Sequence, residues 1–245
     1  MDQTIAEPFL LPHGLDMREL DPEGHWFLTD ATRKSAYESF AGGPALKWWR
    51  AKHGDGKYGP SQYKPCTRVD YGHLETVMVA DGALTGIVGQ GDFSRKETLV
   101  WPQSITIEPE DTRAWELPES VAKASGVSIL RPLPAQACHA NADGDGYVIK
   151  FIDVTTEACA LNQLSWPQTA IDRDCTRQCV LALQGGGLTC AHGQHPNDEA
   201  ITLMPGMALY LPRTTPPDWT GGGEAYAARW DIGPMSSVRC VSIWY

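Results

Sequence analysis

The stretch ETVMVADGALTGIVGQ, residues 75–90, is echoed by QCVLALQGGGLTCAHGQ, residues 178–194. Both read as strand, glycine turn, Leu-Thr, three residues and Gly-Gln. Further along, WPQSITIEPEDTRAW (101–115) parallels MPGMALYLPRTTPPDW (204–219): a Pro turn, a strand, a second Pro, a polar turn and a Trp. The correspondences fall at spacings of 102 to 104 residues. Two segments repeating in the same order at the same spacing mark an internal duplication.

Within each copy the strand candidates are short, rich in Val, Ile, Thr and aromatics, and separated by Gly or Pro. LETVMVAD with ALTGIVGQ reads as a hairpin, as does CVLALQ with GLTCAHGQ. GDGYVIKFIDV and the C-terminal VRCVSIWY add further strands. Helical pattern is sparse, with a capped segment over 29–42 and a short crossover helix over 117–126 as the two candidates. The expected fold class is all-β, with little helix and two barrels or sandwiches in one chain.

These segments resemble the cupin superfamily, and two copies imply a bicupin: two jelly-roll barrels joined in one chain. The first cupin motif runs Gly, five residues, His-x-His, three or four residues, Glu, six residues, Gly. Glu75 to Gly82 and Gln178 to Gly185 fit its second half, and the turn–strand–Pro frameworks fit the second motif. The resemblance implies barrels over 45–130 and 147–245, a linker over 131–146 and an N-terminal extension over 1–44. It also implies a metal held by two histidines, a glutamate and a later histidine. Here the residues depart from the pattern. In the first copy the His-x-His positions fall near Arg68 and Asp70, or Val69 and Tyr71, and the late histidine position falls near Arg113. In the second copy Gln178 stands for the glutamate and Pro217 for the last histidine. No standard metal site is expected. A displaced site for Fe, Mn, Ni or Zn stays open at Asp70, His73 and Glu75.

Composition bounds the partners. A net charge of −10 argues against nucleic acid and anionic membrane. No apolar run approaches the ~20 residues that span a bilayer. The N-terminus lacks a basic start and a long apolar core, so a cytoplasmic location is expected. Seven cysteines contain no CxxC pair, which argues for buried reduced thiols rather than a zinc ribbon or disulfide framework. NADGDG (141–146) begins like a calcium loop, but Ile152 stands where its bidentate acid belongs, so it reads as a turn.

The chemistry concentrates in the first copy. Tyr71, His73 and Glu75 share a strand face by parity. Glu75 and His73 can form an acid–base pair, with Tyr71 donating to a developing oxyanion. Arg113 can hold a substrate carboxylate, or pair with Glu75 as a structural ion pair. Trp49, Trp115, Trp219, Gln178 and His192 complete the candidate substrate-binding set, since aromatic-lined mouths suit small, largely apolar molecules. Three functions follow: an acid–base isomerase, lyase or cyclase without the standard metal, a metal-dependent dioxygenase with non-standard ligands, and a non-catalytic sensor. The lost histidines favour the first. A small molecule is the expected partner, and a homodimer stays open.

Overall fold

The structure is a computed structural model that describes residues 17–19, 27–30, 44–53, 60, 73–108, 111–132, 146–154, 161, 163–191, 200–212, 229–232 and 237–245. The chain divides into two compact units. One comprises residues 31–145, here the first barrel. The other joins residues 1–30 to 146–245, here the second barrel.

In the first barrel a four-stranded antiparallel sheet holds β3 (Ala45–Lys52), β9 (Lys123–Pro132), β4 (His73–Asp81) and β7 (Ser104–Ile107), in that order. Facing it are β6 (Arg95–Val100), β5 (Ala83–Gly89) and β8 (Thr112–Glu116). Trp49, Val77, Val79, Ile105 and Ile107 from the larger sheet pack with Leu84, Val88 and Leu99 from the smaller one. Their spacing of two residues follows from the pleat, which sends alternate side chains to the same face. The other face of β4 is buried as well, with Leu74, Thr76, Met78 and Ala80 at most 3% exposed. A strand buried on both faces reads as a nearly continuous apolar run, and LETVMVA does. At the edge, β6 exposes Arg95, Lys96 and Glu97, charges that discourage pairing with another strand.

The second barrel repeats this plan. Its large sheet holds β10 (Val148–Val154), β16 (Val238–Trp244), β11 (Arg177–Gly185) and β14 (Met207–Pro212). Facing it are β13 (Ala200–Leu203), β12 (Leu188–Ala191) and β15 (Arg229–Ile232). The duplication extends to irregularities. Ala80 bulges out of register where β4 pairs with β9, and Leu183 does so where β11 pairs with β16. Thr85 meets Thr98 through their hydroxyls at 2.9 Å, and Thr189 meets Thr202 at 3.4 Å.

Two strands from the segment assigned to the extension belong to this second sheet. β2 (Phe27–Asp30) pairs antiparallel with Met207–Tyr210 of β14, and β1 (Met17–Glu19) pairs with β2.

Three local expectations are corrected. β4 and β5 do not form a hairpin, nor do β11 and β12. In each case the chain turns a glycine corner from one sheet into the other. Gly82 at the first corner has φ +81°, and an added Cβ would stand 2.5 Å from the Lys123 carbonyl oxygen. A hairpin and a sheet-switching corner share the same strand–glycine–strand pattern, so periodicity could not separate them. The segment 117–126 is not helical: Pro118 leads a turn at Glu119–Ser120, and β9 starts at Lys123. Of the helical candidate over 29–42, Thr29 and the cap candidate Asp30 end β2, and 31–42 lies outside the described residues. The one α-helix among the described residues is α1 (Gln168–Asp172), too short to show a helical period.

Candidate functional site

Inward-facing positions of the large sheets line up in rows, and the rows match between barrels. In the first barrel one row is Lys47, Ser128, Val77 and Ile105, and the next is Ala45, Leu130, Glu75 and Ile107. In the second the corresponding rows are Lys150, Ser242, Val180 and Leu209, then Val148, Trp244, Gln178 and Leu211. A lysine and a serine thus recur opposite each other in both barrels, next to a row carrying Glu75 or Gln178.

In the second barrel the glutamine and the serine are joined to each other, while the Trp244 indole nitrogen in the Gln178 row is buried without a partner. Gln178 Nε2 donates to Ser242 Oγ at 2.7 Å and to the Leu164 carbonyl at 2.8 Å. Leu164 is itself a core residue of that barrel. The first barrel leaves its serine open. Ser128 Oγ is buried with no hydrogen-bond partner, and so is Trp49 Nε1. Ser128 is 0% exposed and Trp49 3%. Leaving such groups unsatisfied costs about 1–3 kcal/mol each, so each is a signal for something that belongs there.

Glycines explain where the indoles sit. Gly126 pairs with both Trp49 and Val79, and an added Cβ there would collide with the Met78 carbonyl and the Trp49 ring. On the facing sheet Gly86 pairs with Trp115, whose Cζ3 would lie 2.6 Å from an added Cβ. Each ring therefore lies across a glycine, one on each sheet of the same barrel. The Trp115 indole nitrogen is also buried without a partner. In the second barrel Ile152 and Cys240 occupy the places of Trp49 and Gly126, and Cys190 that of Gly86. Burial pushes the Cys190 and Cys240 thiols up to about 12, which makes them inert filling.

Glu75 is 3% exposed and occupies the face of Val77 and Ile107 inside the first barrel. Trp49, Ser128 and Glu75 fall on a diagonal across β3, β9 and β4, each one strand over and two residues along from the last. Diagonal neighbours lie about 7–8 Å apart at the backbone, within reach of aromatic and long side chains.

The other expected site residues distribute as follows. His73 opens β4 opposite Pro132, and Arg113 lies opposite Val88 in β8. Gln178 is buried in the second barrel and engaged as above. Asp70, Tyr71, His192 and Trp219 lie outside the described residues. The expectation that Trp115 and Trp219 are counterparts is corrected. Trp115 pairs with Gly86 as Trp230 pairs with Cys190, so its structural equivalent is Trp230. Cys175 does not share a strand with Cys179; it precedes β11 and packs with Ala170 and Trp244. Cys175, Cys179, Cys190 and Cys240 are buried free thiols, as expected of them. Among the described residues no group of three His, Cys, Asp or Glu side chains gathers that would hold a metal ion. Of the displaced set Asp70, His73 and Glu75, the side chain of Glu75 alone is described, so the donors on view do not make a metal centre.

Sequence reading missed Ser128, Lys47 and Gly126. Lys47 and Lys150 stand 103 residues apart, within the repeat, and could have been found that way. Ser128 and Ser242 could not, because their spacing is 114 residues and falls outside the repeat interval.

Two units, each with facing antiparallel sheets in the same strand order and with the same bulge, define a duplicated double-sheet all-β fold. No family model matches the chain, and no curated protein matches it in sequence. Among solved structures it is similar to the vicilin of Corylus avellana (hazelnut), at 10% identity and a TM-score of 0.47 over 89% of this chain and 80% of that one. It is similar to protein Ylba from E. coli at 10% identity and 0.46, over 93% and 94%. HutD from Pseudomonas fluorescens SBW25 is similar at 11% identity and 0.38, over 91% and 89%. No helix among the described residues is long and apolar enough to cross a membrane.

Proposed function

We propose that the chain is a small-molecule enzyme whose single reaction chamber is the first barrel, and that Glu75 moves a proton there. The observation that carries this reading is the contrast at one pair of equivalent positions. Gln178 is tied to Ser242 and Leu164, while Glu75 lies beside a serine that has no partner. A glutamine cannot exchange a proton at neutral pH; a carboxylate can. Proton transfer alone supports isomerase, lyase or cyclase chemistry. The second barrel, with Gln178 tied to Ser242 and Cys and Ile in place of Gly and Trp, serves as scaffold.

Hydrogen exchange tests this without a chosen substrate. Wild-type protein and Glu75→Gln are incubated with a small-metabolite extract in D2O, and deuterium uptake is read by mass spectrometry. Uptake into a defined compound with wild type and not with the variant is the expected result. Equal uptake with both proteins, or none with wild type, overturns the reading.

A further inference from the structure

We infer that the first barrel takes a carbonyl compound, and that Trp49 Nε1–H and Ser128 Oγ–H together hold its oxygen. The inference rests on the proposed chamber and names the chemical class that enters it.

An indole nitrogen donates and cannot accept. A ligand atom meeting Trp49 Nε1 must therefore be an acceptor. A serine hydroxyl can turn either way, so it can join the indole on the same acceptor. Both side chains are more than nine-tenths buried, both polar atoms lack partners, and both face the interior. They occupy diagonal positions on adjacent strands, and the absence of a side chain at Gly126 lets the indole lie across β9 toward the serine. The surrounding Val77, Ile105, Ile107 and Leu130 suit a hydrocarbon skeleton around one oxygen, with Lys47 standing opposite Ser128 in the same row.

Glu75 stands one further diagonal step from Ser128, on the side away from Trp49. With the oxygen at the donor pair, the carbon next to the carbonyl falls toward the carboxylate. Glu75 then takes a proton from that carbon. The C–H electron pair becomes the carbon–carbon double bond, and the carbonyl π pair moves onto the oxygen, where two preorganised donors stabilise the charge. Return of the proton to the same carbon epimerises it, and return to the far end of a conjugated double bond shifts that bond. No oxidant, reductant or further reactant is consumed. The second barrel lacks the donor pair, since Ile152 stands in place of Trp49 and offers no N–H.

The experiment uses full-length protein carrying 15N-indole tryptophan. The signal of Trp49 is assigned by its loss in Trp49→Phe, which keeps an aromatic ring and removes the donor. Cyclohexanone and 1-tetralone are titrated in, with methylcyclohexane and tetralin as carbonyl-free partners. A ketone is expected to shift the Trp49 signal while its hydrocarbon partner does not. Ser128→Ala, a smaller change in the same chamber, is expected to weaken ketone binding roughly fivefold to tenfold. Glu75→Gln is expected to keep ketone binding. Failure of both ketones to move the Trp49 signal overturns the inference, as does equal binding of ketone and hydrocarbon. A water bridging the two groups that no ketone displaces also overturns it. Ketone binding without deuterium uptake by wild type keeps the donor pair and removes Glu75 from its role. Deuterium uptake without ketone binding does the reverse.

Discussion

Gln178 and Ser242 are joined by a 2.7 Å hydrogen bond in the second barrel, and the equivalent pair in the first barrel, Glu75 and Ser128, leaves the serine without any. At that register position the two barrels differ by a single substitution, a glutamate in the first for a glutamine in the second.

That comparison makes Glu75→Gln more than a loss-of-function change. It places in the first barrel the side chain that the second barrel already uses, next to a serine able to accept from it. The variant is expected to lose all proton-transfer activity. Its amide can make a new hydrogen bond to Ser128 worth about 1 kcal/mol net, set against the contact that Glu75 itself makes. A fall of more than ~1 kcal/mol in denaturant unfolding would mean that Glu75 holds the barrel together.

The reverse change tests the seal. Gln178→Leu keeps the volume and removes the donor, leaving Ser242 Oγ and the Leu164 carbonyl buried without it. A loss of about 1–3 kcal/mol is expected. Adding Ser242→Ala should recover part of that loss, because one of the two orphans is then gone. Additive losses in the double variant would show that the two side chains are uncoupled.

Gly126→Ala should be destabilising although glycine is not needed there for a left-handed backbone. The added methyl group meets the Met78 carbonyl and the Trp49 ring, so one of them must move. A cost of about 1–3 kcal/mol is expected from overpacking, with a displaced Trp49 signal in the 15N-indole spectrum. An unmoved Trp49 signal would mean that the glycine does not set the indole's place.

Alkaline pH should weaken the second barrel. Burial pushes Cys190 and Cys240 from 9.0 up to about 12, and pushes Cys179, Tyr210 and Tyr245 up as well. The folded state keeps protons that the unfolded chain releases above about pH 9. The stabilisation is therefore complete below about pH 9 and is lost as pH rises toward about 12. Each thiol in that window adds up to about 1.4 kcal/mol per pH unit to the slope. Denaturation midpoints measured from about pH 8 to 11 check this, and a flat profile would contradict it. A thiol reagent at about pH 8 should leave these cysteines unmodified in the native protein.

The strands are legible in the sequence because period-two alternation and glycine punctuation are local signals. The duplication is legible because it preserves turn residues at fixed spacing. What escapes is pairing. LETVMVAD and ALTGIVGQ look like partners, yet Gly82 sends them to different sheets, since nothing in a strand–glycine–strand pattern names the sheet. Trp115 resembles Trp219 in sequence because both follow a polar turn. The register gives Trp230 instead, since the spacing between copies widens after β14. At the site, Glu75 stands out through its motif and Trp49 through the abundance of tryptophan. Ser128 does not, because only the ladder between β9 and its two neighbours brings it to the same face.

The pairing of β2 with β14 also bears on how the chain is made. Asp30 and Met207 are register partners, yet the whole first barrel is synthesised between them. At roughly 5–20 residues per second, Phe27–Asp30 leaves the ribosome about 10 to 35 s before its partner strand exists. The first barrel, encoded without interruption, can collapse during that wait. The β2 segment has no partner strand until then, so a stalled or truncated translation product would carry a complete first barrel and an unmatched strand.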